Sequence, residues 1–134
     1  MDLEVIKIAE NTTNYKYIKN HSHKYKHKNS ICGDEIEITL KIRDRKIIDF
    51  GYQTKSCIYC QASASLLSRI SKNKKIYEVN KFLEIAKDLF QDKHKSPPKY
   101  WKSFNSIFKK DNFQRKDCLL LPVNALKKII NRYD

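Results

Sequence analysis

Residues Glu35 to Ile42 read EIEITLKI, with apolar Ile36, Ile38, Leu40 and Ile42 alternating with polar Glu35, Glu37, Thr39 and Lys41. A period of two sends all four apolar side chains to one face, so this stretch is constrained to a strand with one buried and one wet side. Arg43-Asp44-Arg45 signals a turn. In the following KIIDFGYQT, Ile47, Ile48, Phe50 and Tyr52 suit an antiparallel return strand, where Gly51 marks a bulge or a close backbone approach. The hairpin begins just after Cys32 and ends just before Cys57, so antiparallel pairing brings those two thiols to one edge of the sheet.

Around this hairpin the pattern is helical. Asp2 to Glu10 predicts a short amphipathic helix behind an Asp cap. The polar, lysine-rich stretch from Asn11 to Asn29 predicts a loop with at most one edge strand, near Lys24 to Lys28. Gln61 to Ser71 predicts a helix whose first turn, Ala62-Ser63-Ala64-Ser65, is small enough to lie close against another backbone, with Leu66, Leu67 and Ile70 buried beyond it. Tyr77 to Gln91 places Val79, Phe82, Leu83, Ala86, Leu89 and Phe90 on one helical stripe. HKSPPK, at His94 to Lys99, ends that helix with two prolines. Tyr100, Trp101, Phe104, Ile107 and Phe108 then have a spacing that suits core packing better than stacking on bases. A last helix, Asp117 to Tyr133, carries Leu119, Leu120, Val123, Leu126, Ile129 and Ile130, with Pro122 in its first turn or two, where its missing N–H has little or no intrahelical partner. The fold class is therefore α+β, a small antiparallel sheet of about three strands covered by α-helices. At 134 residues, one domain spanning 1–134 is expected.

Charge narrows the function classes. There are 28 basic against 15 acidic side chains, a formal net charge of +13. The excess is spread along the chain and carried mostly by lysine, with only five arginines, the residue suited to bidentate phosphate or base contacts. A solvated lysine-rich surface explains this better than a nucleic-acid surface; an acidic protein partner is the second reading. No segment approaches the ~20 consecutive apolar residues that cross a bilayer. The start, MDLEVIKIAE, lacks the pattern of a secretory leader, so a cytoplasmic chain with reduced thiols is expected.

The chemistry then concentrates on four cysteines, Cys32, Cys57, Cys60 and Cys118. Cys57 and Cys60 stand before the small-residue helix, and Cys118 at or just before the start of the last one. A helix start presents unpaired N–H groups and the positive end of the macrodipole, which favours a thiolate that binds metal or carries sulfur. Gly33 allows a sharp backbone turn beside Cys32. A tetrahedral set of three thiolates and one carboxylate is one that zinc accepts and that also suits iron in clusters. The carboxylate is the more readily exchanged ligand, so it is the corner at which such a site opens. Lys55 and Lys116, if near, would ease the accumulated negative charge. Cys60 is an alternative ligand, a resolving thiol for Cys57, or an inert buried residue. His21, His23 and His27 are alternative metal ligands, although histidines in a polar loop are usually only solvated. A purely structural zinc site is the bland account of the whole set, but zinc ribbons and fingers show two paired spacings, and here only Cys57 and Cys60 are paired.

Three motifs carry a resemblance: Asn29-Ser30-Ile31-Cys32-Gly33-Asp34, Cys57 followed five residues on by Ala62-Ser63-Ala64-Ser65, and Arg115-Lys116-Asp117-Cys118-Leu119. Together they make the chain resemble the IscU/NifU-N family of iron–sulfur cluster assembly scaffolds over nearly its whole length, and most of all the SufU branch. The resemblance implies the SufE/NifU (IscU-like) fold, a small antiparallel sheet covered by helices. It also implies that Cys32, Asp34, Cys57 and Cys118 converge on one exposed site for zinc or a nascent iron–sulfur cluster. The implied partners are a SufS-like cysteine desulfurase and a downstream iron–sulfur carrier or apoprotein. A persulfide acceptor is implied at Cys118, or alternatively at Cys57.

The departures from the family are informative. Asp117 stands where the IscU branch has histidine and SufU usually has lysine, and Cys60 adds a thiol the family often lacks. Ser96-Pro97-Pro98-Lys99 lies too far upstream of Cys118 to match the IscU chaperone-docking segment, which argues against an Hsp70-type partner acting there. The long connection from Gln91 to Arg115 is similar to the SufU insertion. Two other functions remain open to the sequence: a zinc-dependent sulfurtransferase that assembles no cluster, and a basic zinc module that binds nucleic acid.

Overall fold

The computed structural model describes residues 2–30, 33–91 and 97–133. Cys32 and the His94 to Ser96 part of the proline segment lie outside the described residues. In chain order, helix α1 spans Leu3–Ala9 and strands β1, β2 and β3 span His23–Lys28, Glu35–Arg43 and Lys46–Lys55. Helix α2 spans Ile58–Ser71, α3 spans Ile76–Ile85 and α4 spans Lys116–Tyr133. Short 3₁₀ segments cover Ala86–Phe90, Lys99–Ser106 and Lys110–Arg115.

Among the described residues the sheet has three antiparallel strands in the order β1-β2-β3. The alternation in β2 places Ile36, Ile38 and Leu40 in the core opposite Phe50 and Tyr52 of β3. Helices α2 and α4 pack on that apolar face, and α1 packs on α2. Strand β1 is an edge strand in which Lys24, Lys26 and Lys28 are exposed, an arrangement that discourages a foreign strand from pairing there. The expected α+β architecture, a three-stranded sheet under helices, is the one found.

Gly51 is required by a close approach. The segment Lys16 to Ile18 crosses the sheet above it, and Ile18 N–H donates to Thr39 Oγ1 at 3.1 Å. A Cβ on Gly51 would stand 2.7 Å from the Lys16 carbonyl oxygen and 2.9 Å from Thr39 Oγ1. The bulge falls instead between Lys41 and Ile42. Since backbone must shift to admit a methyl group, Gly51→Ala is expected to cost about 1–3 kcal/mol. The midpoint of urea unfolding reads this, and an unchanged midpoint would show that the crossing segment yields freely.

Three helix boundaries differ from the sequence expectation. Helix α2 starts at Ile58 rather than Gln61, with Cys57 as its N-cap, so Cys60 lies in the first turn rather than before it. The helix expected over Tyr77 to Gln91 is α-helical only to Ile85 and then tightens to 3₁₀. Phe90, carried by that tightened turn, stacks on Phe108 with ring centroids 4.9 Å apart, a packing contact that outweighs helical continuity. Helix α4 starts at Lys116, which puts Cys118 inside the first turn and Pro122 at the seventh position. There the residue four before Pro122 is Cys118, itself helical, so the ring removes a real intrahelical donor instead of an idle one.

Candidate metal centre

The hairpin register builds one side of the site. Glu35 pairs with Lys55, so Asp34, just before β2, and Cys57, just after β3, leave the same end of the sheet. Asp34 is set by a tight backbone closure in which Asn29 N–H donates to the Asp34 carbonyl at 2.7 Å and Gly33 N–H donates to the Asn29 carbonyl at 2.9 Å. Gly33 has φ +79°, a left-handed conformation that glycine adopts without strain. Helix α4 contributes the other side, with Cys118 in its first turn.

The two helices are keyed together. Buried Ser63 of α2 donates its hydroxyl to the carbonyl of Leu119 at 2.6 Å. A proline in α4 disturbs the turn before it, and a hydroxyl from α2 at that turn gives the buried Leu119 carbonyl a partner. The other small residues of α2 act similarly: Ser65 donates to the Asn11 carbonyl at 2.6 Å, and Asn14 Nδ2 donates to Ser68 Oγ at 3.0 Å. Across the mouth of the site the Arg115 guanidinium lies 5.4 Å from the Tyr59 ring centroid, joining the approaches to α4 and α2. Lys116 Nζ lies 4.2 Å from the centroid of the Phe113 ring.

As a result one ligand atom each from Asp34, Cys57 and Cys118 lies within 4.8 Å of the others, and all three residues are half-buried. Cys57, Cys60 and Cys118 are thiols, not disulfides. Cys57 occupies the N-cap without using its side chain to cap the helix, so its sulfur is not committed to the helix N–H groups. Asp34 Oδ2 is buried and has no hydrogen-bond partner among the described residues. A buried carboxylate oxygen left this way is costly unless something cationic satisfies it, and two neighbouring sulfurs with one such oxygen suit zinc or iron. The residues present therefore fit a metal ion.

Cys60 is different in kind. It has no exposure, and its Sγ is 3.8 Å from Thr54 Oγ1. Burial pushes its thiol up to about 12, against the pull of the Ser56 and Thr54 hydroxyls, with Cys57 and Asp34 adding to the upward push. The histidines go elsewhere: His21 Nδ1 is 2.7 Å from the Ile18 carbonyl, His23 Nδ1 is 2.8 Å from Ser22 Oγ, and His27 lies in β1. Burial, with Lys128 nearby, lowers the His27 pKa. Trp101, Phe104, Ile107 and Phe108 are buried, as their spacing suggested, while Tyr100 is exposed with Lys74 Nζ 4.7 Å from its ring centroid. Among the described residues no helix is long and apolar enough to cross a membrane. Sequence reasoning missed Ser63 as the link to Leu119 and the hydroxyls of Thr54 and Ser56 beside Cys60; the one signal was the run of small residues, read for its size rather than its hydroxyls.

Comparison with known proteins agrees with this fold. Residues 2–104 match the NifU-like N terminal domain family. The chain is 29% identical over 105 residues to two proteins of Archaeoglobus fulgidus named iron-sulfur cluster assembly scaffold protein IscU 1 and IscU 2, an alignment covering 78% of this chain and 58% of each of those. It is 34% identical over 62 residues to the iron-sulfur cluster assembly scaffold protein IscU of Thermotoga maritima, covering 46% of this chain and 44% of that one. The chain thus spans little more than half the length of the two Archaeoglobus relatives and less than half that of the Thermotoga one. In structure it is similar to a NifU-like N-terminal protein from Brucella abortus, with a TM-score of 0.86 at 19% identity over 96% of this chain and 90% of that one. It is similar also to a SUF-system scaffold from Fervidobacterium islandicum, with a TM-score of 0.85 at 21% identity over 95% of this chain and 93% of that one. Cys118 lies beyond the family match, yet the fold returns it to the same site as Cys57. By the extent of that match the chain belongs to the NifU-like N-terminal domain family, the family of the IscU-type iron–sulfur cluster assembly scaffolds.

Proposed function

We propose that this chain, acting as one cytoplasmic domain over residues 1–134, is a scaffold of the SufU type on which an iron–sulfur cluster is assembled. Its ligand set is Cys32, Asp34, Cys57 and Cys118. The observation that carries this reading is the gathering of Asp34, Cys57 and Cys118 with a buried carboxylate oxygen that has no hydrogen-bond partner among the described residues. Cys32, two residues before Asp34 in sequence, supplies the third thiol. Sulfur arrives as persulfide from a SufS-like cysteine desulfurase and is accepted by Cys118, or alternatively by Cys57, through thiolate attack on the donor's outer sulfur. The cluster is cargo that passes to a carrier or apoprotein, and Asp34, the hardest and most exchangeable donor, is the corner at which it leaves.

The same donors suit a zinc-dependent sulfurtransferase, because two thiolates and a carboxylate do not choose between zinc and iron. Anaerobic purification followed by metal and acid-labile sulfide analysis separates the two. Iron with sulfide in matching amounts supports the scaffold. Zinc with a persulfide on Cys118, and no cluster after anaerobic reconstitution, selects the transferase. Metal content unchanged in Cys32→Ser, Cys57→Ser and Cys118→Ser alike would defeat both.

A further inference from the structure

The scaffold reading uses Cys57 and leaves Cys60 idle, although the two thiols share one turn. Cys57 is the N-cap of α2 and Cys60 its third residue. The N-cap and the third helical residue flank one turn, the two positions from which capping-box side chains each reach the other residue's backbone N–H, so the two thiols stand over the same turn. The Cys57 side chain makes no capping bond, so its sulfur is not engaged by the helix N–H groups. A cysteine buried only for packing sits among apolar groups, but Cys60 is lined on one side by hydroxyls. Its Sγ is 3.8 Å from Thr54 Oγ1, and Thr54 Oγ1 is 2.8 Å from Ser56 Oγ. Ser56 is half-exposed, so the two hydroxyls lead from the buried sulfur toward the surface beside Cys57.

We propose that Cys60 is a resolving thiol that discharges a persulfide held on Cys57, releasing its outer sulfur as sulfide and leaving a Cys57–Cys60 disulfide. The proposal rests on the reading of this site as a sulfur acceptor and names the step that converts the accepted sulfur to the oxidation level found in clusters. Cys60 Sγ attacks Cys57 Sγ, the inner sulfur of the persulfide. The bond from Cys60 Sγ to Cys57 Sγ forms, and the bond from Cys57 Sγ to the outer sulfur breaks. The outer sulfur leaves with the electron pair and is reduced to sulfide, while the two cysteine sulfurs are oxidised to a disulfide. The thiol proton of Cys60 goes to the departing sulfur by way of the Thr54 and Ser56 hydroxyls. A persulfide first formed on Cys118 reaches Cys57 by transfer, since the two ligand sulfurs are within 4.8 Å. An external dithiol then restores both thiols by exchange.

The test uses the full chain, reduced, freed of reductant and kept anaerobic, with glutathione persulfide as the sulfur donor. Sulfide is trapped and counted against a protein-free blank, and the protein is digested with trypsin. Cleavage after Lys55 and Arg69 gives a Ser56 to Arg69 peptide that contains Cys57 and Cys60 and no other cysteine. The expected result is about one sulfide released per chain, with this peptide two hydrogens lighter, as an internal disulfide requires. Cys60→Ala is expected to keep the persulfide and to release sulfide at least about tenfold more slowly, with zinc binding unchanged. Cys60→Ser serves as a second variant of similar shape. Sulfide release from Cys60→Ala at the normal rate overturns the proposal, as does a disulfide from Cys57 to Cys118. Loss of zinc binding in both Cys60 variants also overturns it, by making Cys60 a ligand or a packing residue. A persulfide that forms on the normal protein and persists defeats the proposal alone, whereas no persulfide on any variant defeats the sulfur-accepting reading with it.

Discussion

Replacing Cys118 or Cys57 with serine is expected to weaken zinc binding by roughly 10²-fold or more. Structural zinc sites gain about 10–16 kcal/mol from four ligands, so one thiolate contributes about 3 kcal/mol, and each 1.4 kcal/mol is tenfold. A serine hydroxyl neither ionises at neutral pH nor offers a soft donor, so the loss is not recovered by the similar shape. Zinc is a suitable probe because it has no redox chemistry, and competition against a chromogenic chelator reads the affinity directly. Cys60→Ser is the internal control and is expected to bind as the normal protein does, because Cys60 is not among the residues whose ligand atoms gather at the site, Asp34, Cys57 and Cys118. Equal affinities for Cys118→Ser and the normal protein would remove α4 from the site.

The largest effect on stability is expected at Phe104. Its ring centroid is 4.6 Å from that of Phe82 and 5.0 Å from that of Phe108, and Phe82 lies nearly parallel to Trp101 at 4.5 Å. All four side chains are almost wholly buried. Phe104→Ala removes a ring from the middle of this stack and is expected to cost about 3–5 kcal/mol. For a chain of this size that lowers Tm by on the order of 10–20 °C. Tyr100→Ala, four residues earlier, removes a ring that is 61% exposed and is expected to change stability by no more than about 0.5 kcal/mol. Thermal unfolding of the pair decides the matter: similar losses would mean that this aromatic segment is not seated in the core.

What the sequence disclosed follows from where its physics is local. The alternation of EIEITLKI specifies a face at every residue, so β2 and its partner β3 were legible; the thiol expected beside Cys57 at the sheet end, Cys32, lies outside the described residues, and it is Asp34, taken from the resemblance, that is seen there. The aromatic stripe was legible as core for the same reason. The start of α2 was not, because Ile58 and Tyr59 are β-branched and aromatic residues with strand-like preferences, and only packing against α1, α4 and β3 draws them into a helix. The 3₁₀ stretches were likewise hidden, since Phe104 and Phe108 keep a helical spacing while the turn is tightened by ring stacking. The unsatisfied oxygen of Asp34 and the hydroxyls beside Cys60 are facts of three-dimensional surroundings that spacing does not encode.

The bond from Ser63 to the Leu119 carbonyl makes the gap between two sulfurs a dimension of the interior. Cys57 and Cys118 are mounted on helix bodies that the core holds in register, so neither thiol can be retuned by editing a loop. Any substitution deep between α2 and α4 that lets the pair slip by a fraction of an ångström would therefore register first as poorer ion retention, well before the chain begins to melt. In such a protein, selection for chemistry also polices the packing.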